Sequence, residues 1–251
     1  MQSSDRYPEI DLLRTLAILG MIVYHTAFDL AMFYDFDIEV FTGPWRFLAR
    51  TTAILFLLLV GISFAISWNK NLVGPERSGP TRFFVYKKYI KRGLILLAWG
   101  IGISLVTFIV DQETYVRFGI LHLIGVAMIL LPLFVHLRGL ILPIGLGLIL
   151  FSPWLERMHA NTEMLLPLGI EPDYFASVDY FPLLPWFGVI LIGLVAGQKF
   201  YIGDTRWREH SNLKALDSKL FTWPGRHSLM LYLIHQPIIL LILTLLLGRP
   251  F

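Results

Sequence analysis

Seven stretches of this chain are long and apolar enough to cross a lipid bilayer, and this feature limits the fold more than any other. A hydrocarbon core of roughly 30 Å requires about 20 mainly apolar residues in a helix. The spans predicted from apolar run length are Leu12–Tyr34, Phe47–Trp68, Ile90–Val110, Phe118–Val135, Leu140–Trp154, Leu183–Tyr201 and Ser228–Leu247. The sequence therefore predicts an all-α polytopic membrane helix bundle with about seven transmembrane helices.

The fifth span is the shortest of the set. It holds Pro143, Gly145 and Gly147, so a kinked or re-entrant helix that is supported by its neighbours is an alternative to a full crossing. Composition agrees with the membrane class, since 56% of the 251 residues are hydrophobic and only 16% are charged. We predict one domain over residues 1–251. With no cysteine, the chain has no disulfide and no thiolate nucleophile.

The charges in the connecting segments predict the orientation of the bundle. Lys and Arg accumulate on the cytoplasmic side of membrane proteins. The connections after the second and sixth predicted spans are rich in Lys and Arg, whereas those after the first and fifth are acidic. We therefore expect the N-terminus in the cytoplasm and the C-terminus outside.

The first predicted span carries three ionisable residues, Arg14, His25 and Asp29. His25 lies eleven residues after Arg14, which is about 16 Å along a helix and close to three turns, so both point roughly the same way. Asp29 follows one turn later and shares a face with His25. Ionisable residues inside a membrane face the protein interior or a water-filled cavity and are functional candidates. The alternatives are a snorkelling Arg14, a His25 that only bonds a neighbouring helix, and a solvated Asp29.

Four segments carry a resemblance to a known family. They are EIDLLRTLAILGMIVYHTAFDL, ILFLLLVGISFAIS, FGILHLIGVAMI and GRHSLMLYLIHQPI, and the resemblance spans Glu9 to Pro237. Together they resemble the heparan-alpha-glucosaminide N-acetyltransferase catalytic-domain family, in its prokaryotic type of integral membrane acyltransferase. The spacing of Arg14 and His25, with ten residues between them, is also similar to the Arg and His motif of the wider membrane acyltransferases that acetylate bacterial cell-surface sugars.

The resemblance implies an acetyl-CoA-dependent N- or O-acetyltransferase. Such an enzyme takes acetyl from cytoplasmic acetyl-CoA, its co-substrate, and delivers it to an amine or hydroxyl of a sugar or glycoconjugate on the outer side. His25 would act as general base or as an acyl relay, with Asp29 orienting its imidazole. His122 is a further catalytic candidate that would reach the same cavity, and a packing histidine is the alternative reading.

Basic residues are candidates for binding the phosphates of the donor. The set predicted to bind the co-substrate comprises Arg14, Arg82, Lys87, Lys88, Lys91, Arg92, Arg226 and His235. Basic inner loops are also what topology alone demands, so each of them has that simpler explanation. For His235 the alternative is a partner for the backbone carbonyl that Pro237 frees.

Other functions have less support in the sequence. No histidine pair has the spacing of a metal site, and the net charge of +3 is explained by the inner loops without nucleic acid. The rival function is a small-solute or proton transporter that uses the same polar cavity, although the spans show no repeated halves. We expect the protein in the plasma membrane of a prokaryote, in contact with lipid, with a homodimer among the open oligomeric states.

Overall fold

The computed structural model describes residues 7–73, 81–203 and 219–248. Eight α-helices lie within these ranges, and no β-strand does. They are α1 (Pro8–Phe33), α2 (Gly43–Val73), α3 (Thr81–Val110), α4 (Ile120–Phe134), α5 (Ile141–Leu155), α6 (Leu183–Gly197), α7 (Lys219–Arg226) and α8 (Ser228–Leu247). Short 3-10 turns cover Arg138–Leu140 and Glu163–Leu168, and a π-helical turn, Gln198–Gly203, continues α6.

Six helical segments among the described residues are long and apolar enough to span a membrane. These segments are Pro8–Phe33, Gly43–Asn71, Phe83–Val110, Arg138–Leu155, Leu183–Ile202 and Ser228–Leu247. The fourth predicted span forms a shorter helix, α4, whose 15 residues extend only about 22 Å. Large apolar side chains face outward, for example Ile109 at 82% and Leu150 at 79% exposure, as expected for lipid contact. The all-α membrane bundle is thus confirmed, while its orientation stays a prediction.

Helix ends differ from the predicted ones where a proline sets the start. α1 begins at Pro8, four residues before the predicted start at Leu12, and has Pro in its first turn. Proline is favoured there because its fixed φ suits a helix and its missing N–H is not needed. The polar residues between Pro8 and Leu12 lower the local hydropathy without preventing the helix, which is why run length alone places the start too late.

The contacts divide the chain into two compact units, residues 1–59 with 208–251, and residues 60–207. In the first unit, α1 packs against α7 and α8. Gly225 of α7 lies so close to α1 that a Cβ there would be 1.9 Å from the carbonyl oxygen of Asp11. Thr15 joins the same two helices, because its hydroxyl donates to the carbonyl of Phe221 at 2.7 Å and accepts from the Gly225 N–H at 2.9 Å.

The second unit pairs α3 with α4 and α5 with α6. Each pair meets at two glycines, whose missing side chains let the backbones approach. A Cβ at Gly93 would lie 2.6 Å from the carbonyl oxygen of Gly125, and one at Gly188 would lie 2.5 Å from that of Gly145. The single-domain organisation over residues 1–251 stays a prediction.

Candidate functional site

The contact of α1 with α8 in the first unit brings two histidines together. The ring centroids of His25 in α1 and His235 in α8 lie 4.9 Å apart, with the ring planes at 61°. His235 is buried at 9% exposure, whereas His25 is half-buried. The imidazole of His25 therefore has a second imidazole as its neighbour in the protein interior.

Asp29 lies one turn further along α1 and is fully buried at 0% exposure. Its Oδ1 accepts a hydrogen bond of 2.6 Å from Nε2 of Gln236, the residue after His235. The carboxylate does not bond the His25 imidazole that it was expected to orient, since Oδ1 is held by Gln236 and Oδ2 has no partner among the described residues. We call His25, Asp29, His235 and Gln236 the imidazole cluster.

Three atoms of the imidazole cluster are buried without a hydrogen-bond partner among the described residues. They are Asp29 Oδ2, His235 Nε2 and Gln236 Oε1. Buried polar atoms are paired in the large majority of cases, and each unpaired one carries a desolvation cost of about 1–3 kcal/mol. Three such polar atoms thus lie together in the imidazole cluster.

A second polar group on α1 lies near its N-terminal end. Nη1 of Arg14 donates to Oδ1 of Asp11 at 3.1 Å, and Nε of Arg226 donates to Oδ2 of the same carboxylate at 3.2 Å. Both arginine side chains are about a quarter exposed. Two of the predicted donor-binding residues are therefore held together by one carboxylate, and the three side chains carry a net charge of +1.

The predicted basic residues of α3 belong to the second unit. Lys87, Lys88, Lys91 and Arg92 are exposed near the N-terminal end of this helix. Nζ of Lys88 donates to Oδ1 of Asn71 at 2.7 Å, and the Arg92 guanidinium lies 5.8 Å from the centroid of the Tyr89 ring. The backbone of Arg82 is helical, but its side chain lies outside the described residues.

His122 is held within the second unit by the start of α4. Its Nδ1 accepts a hydrogen bond from the N–H of Gly119 at 3.3 Å. A Cβ at Gly100 of α3 would meet the His122 ring at 3.0 Å, so the imidazole fills the space that this glycine leaves. Nδ1 of His122 therefore carries no proton, and the ring is packed between α3 and α4.

Three polar residues of these sites were missed by the sequence reasoning. Asp11 is three residues before Arg14, a helical spacing that favours an ion pair and was a usable signal. Gln236 had no such signal, because its partner Asp29 is 207 positions away in the chain. Asp179 caps α4 by accepting from the N–H of Ile120 at 3.1 Å, and burial raises its pKa to about 6.

The described residues also contain an open cavity in the extramembrane loop between α5 and α6. Its volume is about 460 Å³, and Arg117, Glu163, Tyr174 and Phe175 are among its lining residues. Nε of Arg117 donates to Oε1 of Glu163 at 3.2 Å, and its guanidinium lies 4.3 Å from the Tyr115 ring centroid. Within residues 7–73, 81–203 and 219–248, no group of three His, Asp or Glu residues is placed to hold a metal ion.

Comparison with known proteins gives one family match. The family described as "Heparan-alpha-glucosaminide N-acetyltransferase, catalytic" matches residues 6–237 of the chain. No curated protein and no solved structure matches it. The matched range contains the whole imidazole cluster together with Arg14, Arg226 and the basic part of α3.

Proposed function

Because the chain belongs to the heparan-alpha-glucosaminide N-acetyltransferase catalytic family, and is thus a membrane acetyltransferase, we propose that it uses acetyl-CoA as donor. In this proposal the acetyl group passes from cytoplasmic acetyl-CoA to an amine or hydroxyl of a sugar or glycoconjugate on the outer side. The N-terminus of α1 then faces the cytoplasm, and His25 lies about 16 Å further along the helix toward the outer side.

The observation that carries the proposal is the imidazole cluster within otherwise apolar helices. A transferase needs a group that exchanges protons or acyl groups near neutrality, and imidazole serves both purposes. It also needs hydrogen-bond acceptors that fix the N–H or O–H of the attacking group. The unpartnered Asp29 Oδ2, His235 Nε2 and Gln236 Oε1 supply such acceptors next to His25.

The basic residues fit the donor by charge. Acetyl-CoA carries phosphate groups, and Arg binds phosphate through paired N–H donors. Arg14 and Arg226 meet at the carboxylate of Asp11, and the net charge of +1 on these three side chains favours an anion. We assign the same role to Arg82, Lys87, Lys88, Lys91 and Arg92, and His122 stays a catalytic candidate of the second unit.

Two mechanisms are open within this proposal. In direct transfer, His25 removes a proton from the acceptor while its nitrogen or oxygen attacks the thioester carbonyl. In a relay, His25 attacks the thioester itself and then passes the acetyl group on. In both mechanisms CoA leaves as the thiol and the acceptor gains the acetyl group.

Binding of acetyl-CoA and CoA to the purified protein in detergent tests the proposal. We expect saturable binding in wild type that persists in His25→Ala, whereas the double change of Lys87 and Lys88 to Ala weakens it. Transfer of labelled acetyl to glucosamine as an amine probe, and to glucose as a hydroxyl probe, should be lost in His25→Ala. Folded wild type that binds no acetyl-CoA would contradict the proposal and favour transport of a small solute.

A further inference from the structure

His235 has a defined tautomer in its neutral form. Its Nδ1 lies 2.6 Å from the carbonyl oxygen of Tyr232. A carbonyl oxygen only accepts hydrogen bonds, so Nδ1 carries the proton and Nε2 carries the lone pair. This Nε2 is also the buried atom that has no partner among the described residues. The main chain of α8 therefore presents a free basic nitrogen inside the imidazole cluster.

The two histidines of the imidazole cluster differ in their surroundings. His25 is half-buried, while His235 is 9% exposed and fixed by a backbone carbonyl. Their rings are in contact at 4.9 Å between centroids, yet Nε2 of His235 accepts no hydrogen bond from His25. The lone pair of His235 is thus available to a third group that is bound beside His25.

A general base needs a free lone pair within reach of the proton that it removes and a group that fixes its orientation. His235 has both, since its Nε2 has no partner among the described residues and its Nδ1 is held by the Tyr232 carbonyl. We propose that His235 is the general base of the transfer, that His25 carries the acetyl group, and that the Tyr232 carbonyl orients the base. This inference rests on the proposed function and selects the relay from its two mechanisms. It moves His235 from donor binding to proton transfer at the acceptor.

The acetyl group is transferred in two steps. In the first, a nitrogen of His25 attacks the thioester, a C–N bond forms, the C–S bond breaks, and the proton of His25 ends on the sulfur of CoA. In the second, the amine or hydroxyl of the acceptor attacks the acetyl carbon as Nε2 of His235 takes its proton. The C–N bond to His25 then breaks, and the proton passes from His235 to the nitrogen that leaves.

Asp29 and Gln236 have a supporting part in the second step. The amide of Gln236 fixes one carboxylate oxygen of Asp29 at 2.6 Å, which leaves Asp29 Oδ2 and Gln236 Oε1 to accept from the acceptor. Both residues adjoin a histidine of the pair, Asp29 one turn from His25 and Gln236 next to His235. Gln236 therefore has two parts, since its N–H orients Asp29 and its Oε1 binds the acceptor.

The test separates the two steps in the full-length protein in detergent. The first step is followed by exchange of label between acetyl-CoA and labelled CoA without acceptor, which requires an acetyl carrier. The second is followed by loss of label from the isolated acetyl-protein after addition of glucosamine, whether the product is acetylglucosamine or acetate. The variants are His25→Ala, His235→Ala and His235→Gln, with His227→Ala as the control, an exposed histidine just before the same helix.

We expect His25→Ala to lose the exchange. Both His235 variants should keep exchange within about threefold of wild type and lose label about 100-fold more slowly, the usual contribution of a general base. A role in folding alone would lower both rates together. His227→Ala should match wild type in both.

Three results would overturn the inference. In the first, both His235 variants lose label from the acetyl-protein at the wild-type rate. In the second, folded His235→Gln loses exchange and label release to the same extent. In the third, wild type transfers acetyl to the acceptor but shows no exchange between acetyl-CoA and CoA. In each of these the protein still uses acetyl-CoA, so the proposed function stands. Absence of acetyl-CoA binding in wild type would instead refute the proposed function itself.

Discussion

Gln236 of α8 donates a hydrogen bond of 2.6 Å to Asp29 of α1, and this bond joins two helices through a carboxylate that has no exposure to the surface. Replacement of Gln236 by Ala would leave both oxygens of Asp29 unpartnered in the protein interior. We expect a loss of about 1–3 kcal/mol of stability, because an unsatisfied buried acceptor has that cost. Thermal unfolding in detergent measures it, as a lower melting temperature than wild type.

Asp29→Asn separates the hydrogen bond from the charge at the same site. The amide oxygen of the new side chain still accepts from Gln236, so the melting temperature should stay close to that of wild type. The negative charge beside the histidines is lost, and acetyl transfer should fall by about 10-fold or more. Wild-type transfer in this variant would show that the carboxylate has no part in the reaction.

Gly225→Ala should separate α7 from α1. The new Cβ would lie 1.9 Å from the carbonyl oxygen of Asp11, which is backbone and cannot rotate away, and the bond from Gly225 to Thr15 would be lost as well. We expect a destabilisation of about 1–3 kcal/mol, as is usual for overpacking. The melting temperature of the purified variant measures this loss.

Gly102→Ala is the matched control for Gly225→Ala. It makes the same change inside α3, where nothing lies within 4 Å of the new methyl group. Alanine is favoured over glycine in a helix by about 1 kcal/mol, so this variant should melt no lower than wild type. Equal melting temperatures for the two alanine variants would contradict the close approach of α7 to α1.

Asp11→Asn should bring opposite changes in stability and donor binding. The variant loses the ion pairs to Arg14 and Arg226, so its melting temperature should decrease. The same change leaves two positive charges at the proposed donor site, and acetyl-CoA should bind about threefold more tightly at low salt, with the gain lost near 1 M salt. Glu9→Gln changes the net charge equally on the same turn and is the control. Weaker binding in Asp11→Asn would argue against a phosphate site at these arginines.

Asp179 predicts a pH dependence of stability. Burial raises its pKa to about 6 in the folded protein from the usual 3.8, although the hydrogen bond from Ile120 opposes this rise. Between about pH 4 and 6 the folded protein holds this proton more firmly than the unfolded chain. Stability from this residue is therefore present below pH 4, declines as the pH rises to 6, and is absent above that.

Melting temperatures of Asp179→Asn and wild type, measured from pH 4 to 8, show whether the stability of wild type falls as the pH rises. The variant keeps an oxygen that accepts from Ile120 but does not titrate. Relative to the variant, wild type should lose on the order of 1–3 kcal/mol as the pH rises through this window. A difference that is constant with pH would contradict the raised pKa.

The fold could be predicted from run length because lipid imposes one simple requirement on every span. Each of the seven predicted segments overlaps a helix of the structure, and the starts differ where Pro8 extends a helix into polar sequence. The common face of His25 and Asp29 also follows from helical spacing alone. Each of these predictions depends only on residues that are near one another in the chain.

The partners of those residues could not be predicted in the same way. His235 and Gln236 meet α1 because two helices from opposite ends of the chain pack together, and no local pattern encodes that pairing. The ion pair of Asp11 with Arg226 is of the same kind, with 215 positions between the residues. The sequence therefore identified His25, Asp29 and His235 as site residues, while Gln236 and the contact between the two histidines required the packing of α8 on α1.

The bond from His235 to the Tyr232 carbonyl has a consequence for how this protein tolerates change. The group that sets the tautomer belongs to the main chain, so any side chain that keeps α8 helical at position 232 supplies it. The Tyr232 ring is a separate contact of the same histidine, with ring centroids 5.6 Å apart. A change of this side chain would therefore alter how the imidazole is packed, while the backbone of the helix would still fix where its proton lies.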